Sequence, residues 1–413
     1  MLRNRTLLAV SFAVCASFTG IGMVVPVRVL YAESRGASLA IIGAMASSYL
    51  ISNFLFQYPS GWIADRWGRK PIMIVSLFLQ AVVSATYLLI ADPILFVLVR
   101  FVEGAVAAAF LPSARALITD AIPLKHRGEA FGIFSAFFNF GFLLGPAIGG
   151  LLASTGYASA FIGAVIFRLV AMVIVFLMIK TPLQRSHTSE EGAINRAPTA
   201  ASPGRLFALP LLAAYLLAFC DYLFVGFDIA LTPLWLHDHL GAAVAMIGIA
   251  YMAFSITGII AAPLGGRLAD HRRRSTLILV FGLAQVPLYL VYGLTNMVMI
   301  VVICFAIHGI VYSFMQPAID AHVAAASAPD ARARIQGLYS AFGMMGGFVG
   351  STGSSLLYGI NFRLPLLTIG AVFGTGLLIG GTLIRLSEAR GVVKLDNQNA
   401  QVEPQETVAS SVE

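Results

Sequence analysis

The chain has 413 residues, of which 59% are hydrophobic and 11% charged, and its net charge is +7. Soluble domains carry roughly 25% charged residues, so this composition excludes an ordinary soluble class. The 26 Lys and Arg residues fall mainly in short loops between apolar runs, a topology signal that argues against a nucleic-acid surface.

A membrane helix needs about 20 mostly apolar residues. Such runs occur at 6–30, 39–60, 71–91, 94–116, 128–153, 158–180, 209–234, 243–264, 275–294, 297–319, 335–358 and 364–385. The fold class is therefore an all-α membrane protein with twelve spanning helices, since open sheet cannot cross lipid. The first run is too long for the core of a signal peptide and reads as a first membrane helix. Between the second and third runs, the stretch 61–71 packs Asp65, Arg66, Arg69 and Lys70 into eleven residues. Gly61 and Gly68 suit tight turns, and Pro71 suits the first turn of the next helix. A short, rigid, charged hairpin is expected.

With the N-terminus placed in the cytoplasm, the inner segments hold 21 Lys and Arg residues and the outer ones only Arg28, Arg35 and Arg363. Both termini are thus expected on the cytoplasmic side of the cell membrane. The expected organisation is an N-terminal bundle (1–180), a linker (181–208), a C-terminal bundle (209–387) and a disordered tail (388–413). The linker is rich in Ser, Thr, Ala, Pro and charge and shows no apolar period. Cys15, Cys220 and Cys304 lie inside apolar runs and read as inert thiols. No metal-ligand spacing, nucleophile–base pair or phosphate loop is visible, so no cofactor and no enzyme activity are expected.

The two halves match at a constant offset of 205 residues. Gly61, Ala64 and Asp65 become Gly266, Ala269 and Asp270, and Gly104 and Pro112 become Gly309 and Pro317. Ser135, Ala136 and Phe137 become Ser340, Ala341 and Phe342, while Gly141 and Gly145 become Gly346 and Gly350. One register held over five helices signals an internal duplication of parallel topology.

Here the residues resemble a family. The duplication, the twelve helices and the motif formed by Gly61, Asp65, Arg66, Gly68, Arg69 and Lys70 resemble the major facilitator superfamily of secondary transporters. Gly141, Gly145, Pro146, Gly149 and Gly150 look like the motif of its proton-coupled exporters, especially twelve-helix drug–proton antiporters. Physically, small residues at four-residue spacing allow close helix approach, and Pro146 breaks a hydrogen-bond ladder. Plain helix packing is the bland alternative. Arg100 and Gly104 are similar to the family's Arg motif in helix 4.

Ionisable groups at membrane depth are functional candidates by default. Arg100 and Glu103 lie three residues apart on one helix side, as a self-neutralising pair or as a proton site tuned by the arginine. Asp221 and Asp228 share one face of helix 7, and the resemblance turns that face towards a central cavity. His308 is the counterpart of Glu103, and is either a hydrogen-bonded core residue or a relay. Arg168 sits mid-helix and must find an acid, carbonyls or an anionic substrate. Tyr49, Asn53, Gln57, Asn139, Tyr222, Tyr251, Tyr339, Met344 and Met345 are weaker cavity candidates. The resemblance also implies a cytoplasmic gate of Gly61, Asp65, Arg66, Gly68 and Arg69. In it Asp65 faces Arg115 or the start of helix 11, and Asp270 forms a looser copy.

The reading that follows is a monomeric, proton-coupled exporter of small organic molecules, with multidrug efflux foremost and protons, cargo and lipid as partners. A dedicated exporter of one metabolite, an inward symporter or facilitator, and a transport-dead sensor or scaffold remain as alternatives.

Overall fold

The computed structural model describes residues 4–122, 127–179, 207–327 and 332–390, with the backbone alone for 65, 127–129, 270 and 332–334. The expected linker up to 206 and the tail from 391 lie outside the described residues, whereas Glu388 and Ala389, expected in the disordered tail, belong to the last helix, where Glu388 Oε1 accepts from Ser275 N at 3.1 Å. The helices are α1 (Arg5–Val24), α2 (Arg28–Ser34), α3 (Leu39–Trp67), α4 (Arg69–Thr86), α5 (Pro93–Ala121), α6 (Arg127–Ala153) and α7 (Tyr157–Met178). They continue as α8 (Leu209–Leu234), α9 (Val244–His271), α10 (Arg274–Leu294), α11 (Val298–Ala326), α12 (Arg332–Ile360) and α13 (Leu364–Ala389). A 3₁₀ turn (Tyr87–Leu89) extends α4, and a π turn (Trp235–His239) extends α8.

Local chemistry fixes the helix starts. Asn4 Oδ1 accepts from Leu7 N at 3.0 Å, and Asp92 Oδ1 accepts from Ile94 N at 2.9 Å just ahead of Pro93. Among the described residues, eleven helical segments are long and apolar enough to cross a membrane. The twelfth long helix, α12, is too rich in Gly and Ser to qualify by composition. Its Gly346 and Gly350 serve close packing against a neighbouring helix.

Two expectations change. The first run is a helix pair: α1 stops at Val24 and α2 begins at Arg28. Arg28 is therefore a residue of the helical bundle and not a loop charge. The 61–71 stretch is no hairpin either, because α3 runs through Gly61 as far as Trp67. The chain reverses at Gly68 alone, whose φ of 91° favours glycine. Pro71 does lie in the first turn of α4. Helices α5, α9 and α11 likewise outrun their apolar stretches, since hydropathy measures the lipid-facing length and not the helix.

The duplication is visible in how backbones meet. Gly141, Gly145 and Gly149 of α6 lie against the backbone of Cys15, Thr19 and Met23 in α1, where any Cβ would collide. Gly346 and Gly350 of α12 meet Phe219 and Leu223 of α8 in the same way. Gly104 sits on Tyr49, and its counterpart Gly309 sits on Phe254. Small residues thus set the helix spacing in both halves.

The halves meet at the end remote from the termini. There Ser47 Oγ lies 2.8 Å from both Ser351 Oγ and Thr352 Oγ1, linking α3 to α12. Gly150 rests on Val244, and Gly248 on Pro146, joining α6 to α9. Towards the other end, a Cβ at Gly61, Gly132, Gly266 or Gly337 would meet nothing within 4 Å, and Tyr58, Trp62 and Trp67 are exposed. The molecule is closed at one end and open at the end that carries the termini.

Candidate functional site

Glu103 of α5 is 3% exposed and lies at the centre of a polar node in the first half. Arg100, one turn earlier, donates from Nη1 to Glu103 Oε2 at 2.9 Å. Arg28 Nη2 lies 3.1 Å from Oε1, and Arg168 Nη2 lies 3.5 Å from the same oxygen. Tyr87 donates its hydroxyl to Oε2 at 3.0 Å, and Arg168 Nη1 donates to the Gln80 carbonyl at 3.0 Å. The Arg100 guanidinium stacks 4.1 Å above the Tyr49 ring, a cation–π contact. The expected Arg100–Glu103 pair is present, and Arg168 has found both an acid and a carbonyl. Sequence reasoning misses Arg28, Gln80 and Tyr87. For Gln80 and Tyr87 a usable signal exists, because both have counterparts at the 205-residue offset.

Those counterparts, Gln285 and Tyr292, surround His308. His308 Nε2 lies 3.2 Å from Gln285 Oε1, and Nδ1 lies 3.4 Å from the Tyr292 hydroxyl. The positions of Arg100 and Arg168 are taken by Phe305 and Phe373. The rings of Phe224, Phe254 and Tyr289 lie 5.1–5.6 Å from the imidazole. His308 is thus a hydrogen-bonded core residue within an aromatic shell.

A second acidic locus forms around Asp221 of α8. Its carboxylate is 6% exposed, and the charge of Asp320 on α11 bears on it. Asp320 accepts from Gln316 Nε2 at 3.1 Å, and Gln316 also donates to the Tyr339 hydroxyl at 3.2 Å. Tyr222, Tyr312 and Tyr339 all lie within the field of both carboxylates. Asp320 escapes a sequence reading because it lies at a helix end that hydropathy leaves outside the membrane run. Asp228 stands apart from Asp221 and accepts from the Tyr251 hydroxyl at 3.0 Å. Tyr251 is therefore committed to a carboxylate.

The remaining candidates spread out. Asn53 donates to the Gly104 carbonyl at 3.2 Å and accepts from Gln57 at 3.1 Å. Gln57 and Asn139 are exposed, Tyr222 and Met344 are half-buried, and Met345 is exposed. A cavity of about 570 Å³ runs along the seam of α3 and α12, past Gly43, Ser47, Phe348 and Thr352, away from the buried carboxylates. At the open end Arg69 pairs with Asp120 and the Ala116 carbonyl. Arg66 lies 5.6 Å from the Trp62 ring centroid, and Lys70 donates to the Phe176 carbonyl at 3.0 Å. These cations brace their own half. Arg115 is exposed, and the side chains of Asp65 and Asp270 lie outside the described residues.

The sequence model of the Major Facilitator Superfamily matches residues 10–231 and 214–409, one match over each half. The chain belongs to this family. It is a transporter, and not an enzyme. The chain is 26% identical over 409 residues to the quinolone resistance protein NorA of Staphylococcus aureus strain MRSA252, covering 96% of this chain and 100% of the relative. It is 26% identical over 377 residues to multidrug resistance protein 2 of Bacillus subtilis strain 168, covering 87% and 90%. Among solved structures, a bacterial homolog of the human lysosomal transporter Spinster, inward-facing and occupied, matches with a TM-score of 0.71 at 18% identity, covering 93% and 94%. The nucleoside transporter NupG matches with a TM-score of 0.70 at 14% identity, covering 94% and 100%. These structures support the fold, and the two resistance proteins resemble the chain over most of its length.

Proposed function

We propose that the chain is a proton-driven antiporter that exports small organic molecules, foremost amphipathic drugs, by alternating access. The observation that carries this reading is Asp221, a carboxylate 6% exposed at membrane depth with Asp320 beside it. A buried acid of this kind favours a proton or a cationic cargo, and a scaffold has no use for its cost. Binding either one neutralises the site, so the two compete, which is the elementary requirement of exchange. Glu103 serves as a second proton site, ionised while its arginines hold it. Asp228 and the tyrosines around Asp221 shape the cargo face.

The positive-inside pattern supports both termini lying in the cytoplasm, so the described state faces inward. Asp65, with Asp270 as its looser copy, then serves as the cytoplasmic latch. Segments 1–180 and 209–387 act as two rocking bundles, and one chain supplies both, so the working unit is a monomer. The resistance proteins' names support drugs as cargo.

The test is flux of a drug panel in proteoliposomes under an imposed pH gradient. The expected result is gradient-dependent uptake that falls at least 10-fold in Asp221→Asn. If no compound's flux responds to the gradient, antiport is wrong. If Asp221→Asn retains full coupling, the site is wrong.

A further inference from the structure

The node around Glu103 is unbalanced. Three guanidiniums share one carboxylate, so two positive charges remain uncompensated at membrane depth. The Nε atoms of Arg28 and Arg168 have no hydrogen-bond partner among the described residues. Such a cluster holds only while Glu103 is ionised. Once the carboxylate takes a proton, three cations face one another with no counter-charge, and one must leave.

The three arginines are not equally free to go. Arg100 and Arg168 have side chains 3% and 1% exposed and stand within long helices, whereas Arg28 is 11% exposed. Arg28 is also the first residue of α2, a seven-residue helix beyond the break at the end of α1. Helix α2 covers the closed end. Its Tyr31 packs edge-on against Phe96 and Tyr157, and the helix rests against α8 of the other half. At its far end, Glu33 faces Asp238 of the π turn that follows α8.

We propose that Arg28 is the interlock of the exchange cycle: its bond to Glu103 seats α2 on α8 and keeps the remote end closed while Glu103 is ionised. A proton on Glu103 releases Arg28, and α2 lifts from α8. A cationic cargo that competes for Glu103 releases it equally. The empty, deprotonated carrier stays locked, and this makes exchange obligatory. The groups facing Glu103 from each neighbouring element are Arg28 (α2), Tyr49 (α3), Tyr87 beyond α4, Arg100 (α5) and Arg168 (α7); α2 and α3 both touch the other half at its closed end, and of the groups they carry only Arg28 is charged. The inference rests on the alternating-access reading, but its first test needs neither cargo nor gradient.

That test measures distance across the closed end in nanodiscs. Spin labels are placed by Ser154→Cys and Asn296→Cys, in exposed turns of the two halves, with Cys15, Cys220 and Cys304 replaced by Ala. In the parent, the open population should rise as pH falls. Arg28→Gln and Glu103→Gln should each raise it at least 10-fold at high pH and flatten the pH response, while Arg28→Lys should stay near the parent. In proteoliposomes, Arg28→Gln should also allow downhill cargo efflux without proton uptake. A parent-like closed population in Arg28→Gln, or in Glu103→Gln, overturns the interlock even if antiport stands. If Arg28→Gln fails to fold, the pH response of Glu103→Gln and Arg28→Lys decides. Should the distances respond as stated while no cargo follows a pH gradient, the interlock holds and the export reading alone fails.

Discussion

The two halves of this transporter contain the same polar node built from opposite materials. In the first, Gln80 and Tyr87 accompany a carboxylate among three arginines; in the second, Gln285 and Tyr292 accompany an imidazole among aromatic rings. The two halves share the node's Gln and Tyr frame and differ in its charge. The first half became an element that must respond when its one carboxylate is neutralised. The second is an uncharged core, and the acids of that half stand elsewhere, Asp221 on α8 with the charge of Asp320 on α11 bearing on it. Symmetric backbones therefore support an asymmetric cycle.

The largest expected effect breaks the first node outright. Glu103→Ala strands three buried guanidiniums and should cost about 3–5 kcal/mol, read as lost monodisperse protein and a lower unfolding temperature. His308→Ala takes one partner each from Gln285 and Tyr292, while Gln285 keeps Tyr289 and Met315, and should cost about 1–3 kcal/mol. Equal losses would mean that the nodes are equivalent. Next comes the packing beneath the nodes. Gly149→Leu drives a side chain into the Met23 backbone and should destabilise by at least ~1–3 kcal/mol. Gly353→Leu has open space and should be nearly neutral in the same thermal assay. A smaller contrast concerns the latch copies, where Asp65→Asn should slow drug efflux several-fold more than Asp270→Asn. The mildest change is His308→Gln, expected to leave the pH profile of transport in place, whereas Asp221→Asn should flatten it. A flattened profile in His308→Gln would turn the imidazole into a relay.

Much of this architecture is legible in the linear chain. Helix count follows from apolar length, and the Arg100–Glu103 pair from a spacing of three. The misses share one cause. Arg28 looks like a loop charge because hydropathy cannot see that α1 breaks and folds a short helix back over the bundle. Asp320 and the end of α3 are lost because helices project beyond the lipid-length run. Arg168 reads as needing an acid, carbonyls or an anionic substrate, but nothing in the linear chain identifies Glu103, 65 residues away, as its acid.

What the chain alone determined is the class of solution: lipid admits only helices here, and a repeat every 205 residues demands two related bundles. Tertiary structure alone decided which charges meet and which end is closed. Ion pairing depends on distances of 3–4 Å between residues far apart in sequence, and the helix crossings that set those distances are fixed by where glycines let backbones touch.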